Sequence, residues 1–281
     1  MSAARLRGIA ALLGTAALAL AGCATAPPAP AAGPELTVVT LNIYHDRDGW
    51  EQRRPLVIEG LRALQPDVIA LQEVLQHENL RNQAADIAEA LGHRYHFVSV
   101  APPGDVERYG NAILTRHPVL ARSERRLEPL ADSRTVAHVR LDIDGTAVDV
   151  FATHLHWTGG GAAMRERQLA DVLAHVDARG GDAPAILVGD FNAPVEAPEL
   201  AALWPRFVDA FGAANPGAGD VTTLNPHWFG DDRRRIDHVL VERGRFEILE
   251  SRLVLDAPDA QGTWPSDHFG VLARLRVLPS R

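Results

Sequence analysis

The sequence contains no lysine and only one cysteine, and both facts limit what the protein can do. All 28 basic side chains are arginines, set against 36 acidic ones, so the net charge is −8 at pH 7. An acidic chain argues against a broad electrostatic surface for duplex nucleic acid or anionic lipid. A phosphate substrate is still compatible with this charge, because a bound metal ion inverts the local field. One cysteine excludes an intrachain disulfide and any metal site built from several thiolates.

The apolar run at residues 9–20 is too short to span a bilayer comfortably. It follows the basic residues Arg5 and Arg7 and has the length of a signal-peptide core. The run ends in LAGC, residues 20–23, which resembles the lipobox of bacterial lipoproteins. This resemblance implies cleavage before Cys23 and attachment of lipid to its thiol. The alternative is an ordinary secretory signal that contains a cysteine.

We therefore expect residues 1–22 to be a lipoprotein signal peptide. Residues 23–34 are almost all alanine and proline after Cys23, and we expect them to form a semi-stiff tether. Ala24, rather than an acid, follows the cysteine, which in proteobacterial lipoproteins favours the outer membrane. The expected location is the bacterial cell envelope, lipid-anchored at the periplasmic face, and residues 35–281 are long enough for one large domain.

The hydrophobic pattern of residues 35–281 changes along the chain and predicts a mixed α/β fold. Amphipathic helices are predicted at residues 53–64 and 80–91 and again after residue 161. Buried or half-exposed strands are predicted at residues 36–43, 68–71, 95–100, 110–115, 119–126, 135–143, 146–153, 185–188, 236–241, 246–255 and 271–277. Strand–helix units thus bracket antiparallel strands in both halves. Two mixed sheets packed face to face, with helices outside, would bury this pattern.

The stretch AILVGDFN, residues 185–192, places a carboxylate and an amide at the end of a buried strand. Asp190 and Asn192 share one side of an extended chain, and this pair suits a divalent cation and a phosphate oxygen. A strand-ending Asp–Asn turn is the alternative. Comparable polar residues close or open other strands, namely Asn42, Glu73, His154, Asp237, Asp267 and His268. Each has a plain structural reading by itself, but their recurrence at strand ends indicates one site.

The ordered set of motifs resembles the endonuclease/exonuclease/phosphatase superfamily, which includes deoxyribonucleases, sphingomyelinases and inositol-polyphosphate phosphatases. The motifs are TLNIY (40–44), PDVIALQEV (66–74), YGNAILTRHPV (109–119), ATHLHW (152–157), RERQ (165–168), LVGDFNAP (187–194), RRIDHVLV (234–241) and SDHFGV (266–271). The resemblance covers essentially all of residues 35–281. It implies a four-layer α/β/β/α sandwich, with two mixed β-sheets flanked by helices, that hydrolyses phosphate esters.

The chemistry of these side chains suggests how a phosphate ester would be held. Glu73 offers a hard oxygen ligand to Mg²⁺ or Mn²⁺, and Asn42 and Asp267 would lie beside it. The metal ion would bind a phosphate oxygen and neutralise the charge that develops on phosphorus. Asn111 and Asn192 can donate hydrogen bonds to the same phosphoryl group. The superfamily carries each of these positions.

Four further residues are candidates for proton transfer. His268 is the candidate general base or acid, and Asp237 would orient it and raise its pKa. Asp190 can position or deprotonate the attacking water. His154 can stabilise the pentacovalent phosphate or protonate the leaving oxygen. Whether Asp190 or His268 takes the proton of water stays open.

The substrate and the role of several neighbouring residues also stay open. Arg165 and Gln168 lie three apart on one helix face, either near the site or on a solvated face. Trp157, Trp228 and Trp264 could contact a membrane, stack on bases or belong to the core. We expect a monomer that acts on a phosphate ester of nucleic acid, phospholipid or inositol. A catalytically silent, membrane-anchored binding lipoprotein of the same fold is the alternative.

Overall fold

A computed structural model of the chain describes residues 33–179 and 181–279. The predicted signal peptide, Cys23 and all but the last two residues of the predicted tether lie outside the described residues. Within the described residues, no helix has the length and apolar character that a membrane crossing requires.

One sheet is built from the two ends of the described chain and its first hairpin. Its strands are β1 (Glu35–Asn42), β2 (Val68–Gln76), β3 (Arg94–Ser99), β4 (Arg108–Thr115), β11 (Phe246–Val254) and β12 (Gly270–Val277). They lie in the order β11-β12-β1-β2-β4-β3. The pair β1–β2 is parallel and the other pairs are antiparallel, so this first sheet is mixed.

The second sheet repeats this plan with the central part of the chain. Its strands are β5 (Val119–Arg126), β6 (Thr135–Ile143), β7 (Thr146–His154), β8 (Ala185–Asp190), β9 (Phe207–Asp209) and β10 (Asp237–Glu242). They lie in the order β5-β6-β7-β8-β10-β9, and β7–β8 is the parallel pair. A parallel pair requires a crossover, which the helix between β7 and β8 supplies.

Helices cover the outer face of each sheet: α1 (Trp50–Leu64) and α2 (Gln83–Leu91) on the first, and α3 (Ala162–Ala178) on the second. Two shorter helices are α4 (Ala210–Ala214), whose Ala210 and Phe211 pack into the core between the sheets, and α5 (Pro226–Phe229). Alternate residues of one strand serve different layers: Val38 packs between the sheets, whereas Val39 packs with Val57 of α1. On the second sheet, Leu187 packs outward against Val172 of α3. The predicted α/β/β/α sandwich is confirmed.

Some boundaries differ from the sequence prediction for local reasons. Helix α2 starts at residue 83 and not at 80, because the Asn82 side chain caps it by accepting from the Ala85 N–H. Strand β2 runs to Gln76 through an irregularity in its pairing with β4 that spans Gln72 and Glu73. Strand β9 and helices α4 and α5 were not predicted, because they are too short to show a period.

The two parallel pairs place their carboxyl ends at one edge of the sandwich. His154 pairs with Asp190 in the second sheet, and the antiparallel β10 starts there with Asp237 opposite Asp190. Gly189 lets β8 approach β7 at this point, since an added Cβ would lie 1.9 Å from the Thr153 carbonyl oxygen. Ligand sites in open α/β sheets form at such strand ends.

Candidate active site

Asp190 lies at the centre of this edge and is reached from both sheets. Its Oδ2 accepts a hydrogen bond from Asn42 Nδ2 at 3.1 Å, across the sandwich. The same oxygen is 3.4 Å from His154 Nε2 and 4.0 Å from His268 Nε2. Its Oδ1 accepts from the Asn192 N–H at 2.9 Å. The structure therefore brings together five of the residues that the strand-end pattern singled out.

The environment of Asp190 makes its carboxylate basic. Burial raises the pKa of Asp190 to about 7, and the charge of Asp237 adds to this. The His268 charge and the hydrogen bonds from Asn42 and Asn192 oppose the rise without cancelling it. Asp190 is 1% exposed, so solvent does little to stabilise its ionised form. A buried carboxylate with this pKa can exchange protons near neutral pH.

His268 and Asp237 form a buried pair beside Asp190. His268 Nδ1 and Asp237 Oδ2 are 2.8 Å apart, and both side chains are buried. Burial alone would lower the pKa of His268, but the charge and hydrogen bond of Asp237 and the charge of Asp190 raise it well above its usual value. Among the described residues, Asp237 Oδ1 is a buried atom with no hydrogen-bond partner.

His154 is held as a neutral imidazole by Arg134. The guanidinium Nη1 of Arg134 donates to His154 Nδ1 at 2.8 Å, and a guanidinium has no acceptor to offer in return. The hydrogen of His154 is therefore on Nε2, which faces Asp190. Burial, and the charges of Arg134 and His268, lower the pKa of His154 well below its usual value. His154 consequently presents a neutral N–H donor to the site.

Glu73 and Asp267 form the acidic wall of the site on the side of the first sheet. Glu73 adopts a left-handed backbone conformation, φ 58°, within the irregular part of β2. Its Oε2 is 3.8 Å from His45 Nε2. Burial raises the pKa of Asp267 to about 6, the charge of Glu73 raises it further, and the charges of His268 and Arg53 oppose the shift.

A buried arginine joins the loops that carry Asn42 and Asp267. Arg53 is 1% exposed and lies on α1. Its guanidinium donates to five main-chain carbonyl oxygens at 2.8–3.0 Å, those of Ile43, Tyr44, His45, Arg47 and Pro265. Tyr44 and His45 have positive φ angles of 57° and 28°, a conformation that costs energy and needs such support. Arg53 thereby fixes the loop after β1 against the loop before Asp267.

The two amides predicted to bind phosphate have their nitrogens engaged with neighbouring main chain. Asn111 Nδ2 donates to the Thr135 carbonyl oxygen at 2.9 Å and lies 3.1 Å from Thr135 Oγ1. Asn192 Nδ2 donates to the Leu155 carbonyl oxygen at 3.0 Å. A phosphoryl contact from either amide therefore requires a shared or exchanged hydrogen bond.

A model of the endonuclease/exonuclease/phosphatase family matches residues 39–268. The chain belongs to this family. Its members, as the family name states, are nucleases and phosphatases, which hydrolyse phosphate esters. The match includes every residue of the site, from Asn42 to His268.

Individual relatives are distant and share this fold. Nocturnin of Drosophila melanogaster is 26% identical over 82% of this chain, and the match covers 42% of Nocturnin. An endonuclease/exonuclease/phosphatase from Beutenbergia cavernae is 25% identical, with a TM-score of 0.70 over 87% of this chain and 72% of that one. The human Nocturnin catalytic domain, solved with a bound sulfate anion, is 20% identical, with a TM-score of 0.70 over 87% and 94% of the two chains. The chain thus spans less than half of the fruit-fly relative.

The side chains at this family site are suited to a divalent cation. Ligand atoms of Asp190, Asp237 and His268 lie within 4.8 Å of one another and could hold one. Glu73 and Asp267 offer a second position, where burial raises the pKa of Asp267 and the negative charge of Glu73 raises it further. A cation bound by these two carboxylates would offset their mutual repulsion, and carboxylate oxygens are the ligands that hard divalent cations prefer.

Arg165 and Gln168 do not form a solvated helix face, and that alternative is wrong. Both side chains are buried. Arg165 binds Glu199 Oε1 at 2.7 Å and the Thr158 carbonyl oxygen at 2.9 Å. Gln168 Oε1 accepts from the His156 N–H at 2.8 Å. The pair secures the loop that follows His154.

The three tryptophans that the sequence left open lie in different surroundings. Trp157 is 69% exposed. Trp228 is half-buried, donates from Nε1 to Asp48 at 2.7 Å and meets the Tyr44 ring edge-on. Trp264 packs against Phe269, with ring centroids 5.9 Å apart. Trp264 is thus a packing residue and Trp228 is held by Asp48 and Tyr44, whereas most of the Trp157 side chain is exposed to solvent.

Several residues of the site were missed by the sequence analysis. Arg134 and His45 contact its members, and Arg53 contacts the loop after β1. Arg134 carried one usable signal, since it directly precedes β6, which is antiparallel to β7 and so starts beside His154. The other two come from a helix and a loop whose paths a hydrophobic period does not specify. Phe229 follows Trp228 in the aromatic segment and lies edge-on to His268, at 5.9 Å between ring centroids.

Proposed function

We propose that this protein hydrolyses a phosphodiester by in-line attack of a water molecule, with a divalent cation at the acidic wall. The observation that carries the proposal is the buried group around Asp190. Its carboxylate has a pKa near neutral pH and lies beside three groups that can hold or move protons, those of His154, His268 and Asp237. A purely structural cluster gains nothing from a carboxylate with a pKa raised to about 7.

The pKa shifts divide the proton-transfer roles. Asp190 is the general base, because a substantial part of it is ionised and basic at neutral pH. His268, with its raised pKa, is protonated and therefore unable to accept the proton of water. It stabilises negative charge on the phosphoryl group, and Asp237 fixes its orientation through the 2.8 Å bond to Nδ1.

His154 acts as a neutral hydrogen-bond donor. Its lowered pKa makes it a poor source of a proton at neutral pH, which disfavours the role of general acid. Its Nε2–H faces Asp190, beside which we propose that the phosphoryl oxygens bind, and Arg134 fixes this orientation of the ring. Such preorganised donors stabilise charge that develops in a transition state.

Glu73, Asp267 and the side-chain oxygen of Asn42 are the residues we propose to hold Mg²⁺ or Mn²⁺. When bound, the cation polarises a phosphate oxygen and neutralises developing charge on phosphorus. Ser266 supports this arrangement, because its hydroxyl donates to the Asn42 carbonyl oxygen at 2.6 Å and so ties β1 to the Asp267 loop.

The proposal is tested with the purified full chain and bis-p-nitrophenyl phosphate. We expect turnover with Mg²⁺ or Mn²⁺, none with chelator, and loss of turnover in Asp190→Asn and His268→Ala. Asp144→Asn is the matched control, because Asp144 lies in the β6–β7 turn at φ 48°, where asparagine is well tolerated. Absence of turnover in a folded protein would favour the silent binding lipoprotein instead.

We also propose that the chain is a lipoprotein of the bacterial envelope, anchored through Cys23. The support is the LAGC sequence and the alanine- and proline-rich residues that follow it. Expression in a bacterial host with an alkyne-tagged fatty acid should label the protein in the membrane fraction. Cys23→Ser should abolish the label, and a label that persists in this variant would contradict the proposal.

A further inference from the structure

The two open ends of the sandwich are closed in different ways. At the end that carries β9 and β11, Phe211 of α4 and Phe246 of β11 pack into the core between the sheets. At the other end, the edge strands β3 and β5 border a cavity of about 420 Å³. Pockets that hold small ligands measure about 300–1,000 Å³. The space at the second end is therefore large enough for a bound molecule.

Polar side chains take the inward positions of both edge strands at this cavity. His96 pairs with Ile113 and Arg122 pairs with Val139, and both partners belong to the core between the sheets. Arg94 lies two residues before His96 and so shares its face of β3. Paired residues of adjacent strands have their side chains on the same side of the sheet. The two arginines thus extend from the inner face toward solvent and leave the space behind them unfilled.

The inner wall of the cavity is apolar and its mouth is cationic. Ile113, Val119 and Val139 line it from the core side, whereas the exposed Arg94 and Arg122 line it at the mouth. Within residues 33–179 and 181–279, no aspartate or glutamate lines this cavity, and neither guanidinium forms an ion pair. A ligand with an apolar body and an anionic head would match both parts.

The charges around the cavity favour a ligand with one negative charge. Glu124 is the next inward-facing residue of β5 after Arg122, since it pairs with Ala137, and it lies outside the lining. His96 Nε2 donates to the Ser123 carbonyl oxygen at 3.3 Å, and burial lowers the pKa of this imidazole, so it adds no charge. Two guanidiniums and one carboxylate leave a single positive charge uncompensated. A monoanion balances that charge, whereas a polyanion would also meet the repulsion of Glu124.

We infer that this cavity binds one free fatty acid, with its acyl chain inside and its carboxylate at the mouth. The chain would lie against Ile113, Val119 and Val139. The carboxylate would accept charge-assisted hydrogen bonds from Arg94 and Arg122, whose planar guanidiniums match its geometry. Among the described residues, those assigned to catalysis do not line the cavity, so the inference is independent of the proposed hydrolysis.

The test measures displacement of the fluorescent probe dansyl-undecanoate from the full chain, in chelator and below the micelle concentration of each competitor. We expect saturable probe binding and displacement by decanoate. The affinity should rise about fourfold per methylene from hexanoate to decanoate, because each CH₂ is buried. Decyltrimethylammonium, which has the same chain with a cationic head, should compete at least about tenfold less well. Equal competition by the two head groups would overturn the inference.

Variants test both parts of the cavity. Arg94→Gln/Arg122→Gln should weaken decanoate binding at least about tenfold, since it removes both partners of the carboxylate. Arg167→Gln/Arg252→Gln is the matched control, because it removes two exposed arginines from α3 and from the far edge strand β11. Val119→Trp should fill the cavity and abolish displacement in a protein whose circular dichroism is unchanged. Equal decanoate affinity in the two double variants would overturn the inference.

Two further outcomes would also overturn it. Absence of saturable probe binding to the wild-type chain would leave the inward-facing arginines as charges that keep edge strands from pairing with other chains. Displacement of the probe by phosphatidylglycerol vesicles, with none by decanoate, would make the opening a contact with a membrane.

Discussion

The second sheet carries the aspartates of two buried histidine–aspartate pairs, which have nearly equal geometry but opposite character. In the active site, His268 and Asp237 are 2.8 Å apart. Beneath α3, His138 Nε2 and Asp149 Oδ1 are 2.9 Å apart. The difference lies in what else reaches each carboxylate. Asp149 also receives Arg140 at 2.8 and 2.7 Å.

The pair beneath α3 belongs to a chain of hydrogen bonds in which each member has a partner. His138 Nδ1 is 2.9 Å from Ser123 Oγ, and the same hydroxyl is 3.1 Å from His175 Nε2. If His138 donates to Asp149, the serine hydroxyl donates to His138 and accepts from His175. Burial alone would raise the pKa of Asp149, but the hydrogen bonds and charges of His138 and Arg140 lower it.

The two active-site carboxylates share the positive charge of one histidine, His268, and Asp237 Oδ1 has no hydrogen-bond partner among the described residues. Asp190 and Asp237 are both buried, and their mutual repulsion contributes to the raised pKa of Asp190. The fold thus stabilises the ionised form of Asp149, whereas burial destabilises the ionised form of Asp190. Residue type and pair distance do not separate a reactive cluster from a structural one; the positive charge available to each buried carboxylate does.

The largest expected contrast is in activity. Asp190→Asn should lower kcat/KM for bis-p-nitrophenyl phosphate by about 10²–10⁴-fold, the usual contribution of a general base. Asp149→Asn should leave kcat/KM per folded molecule within about twofold, since the pair beneath α3 does not contact the site. Steady-state kinetics on both variants, corrected for the folded fraction by circular dichroism, decide this. An equal loss in the two variants would erase the distinction between the clusters.

The free energy of unfolding should fall more in Asp149→Asn than in Asp190→Asn, the reverse of the order expected for activity. Asp149→Asn removes the anion that accepts hydrogen bonds from His138 and Arg140 and should lower the free energy of unfolding by about 1.5–3 kcal/mol. Asp190→Asn removes a buried charge and should change stability by no more than about 1 kcal/mol in chelator. Urea denaturation in chelator measures both. A large loss in Asp190→Asn would show that its anion stabilises the fold.

The pH dependence of activity should follow Asp190. The base must be ionised, so kcat/KM should fall about tenfold per pH unit below its pKa of about 7. A bound cation lowers the pKa of a nearby carboxylate, so the acid limb should move to lower pH at saturating Mg²⁺. Asp149 should affect stability and not activity. Its ionised form contributes to the free energy of unfolding above about pH 3.9, and this contribution is lost as the pH falls toward the lowered pKa of Asp149. An acid limb that persists in Asp190→Glu without any shift would argue against Asp190 as the base.

The last prediction concerns the chain of hydrogen bonds beneath α3 and a small change in stability. Ser123→Ala removes the hydroxyl that bridges His138 and His175 and should lower the free energy of unfolding by about 1–2 kcal/mol. Ser123→Thr retains the hydroxyl and should recover part of that loss. Thermal denaturation at neutral pH compares the three proteins. No change in Ser123→Ala would mean that water replaces the bridge.

The sequence was sufficient to predict the sandwich and to bring Asn42, Asp190, His154, Asp237 and His268 to one edge. Strands of this fold are long and strongly apolar, and the carboxyl ends of parallel strands meet by geometry. What each residue does was less accessible. The amide nitrogen of Asn111 is already used by Thr135, and that bond depends on the packing of β4 against β6.

The cluster beneath α3 and the supporting arginines were also beyond sequence reasoning. Ser123, His138 and Asp149 lie on three strands, and nothing in their spacing shows that their side chains meet. Arg53 occupies a helix position that reads as polar, yet it is among the most buried side chains of the chain. Only the path of the loop after β1, with its positive φ angles, explains why a guanidinium belongs there.

That guanidinium has a consequence for anyone who would redesign the protein. Because Arg53 donates to carbonyls on both sides of the site, the segments ending in Asn42 and beginning at Pro265 share one support. They are 223 residues apart in sequence, yet neither can be replaced as an independent module. A chimera that exchanges the first segment with a relative should recover its geometry only when α1 and the Pro265 segment are transplanted with it.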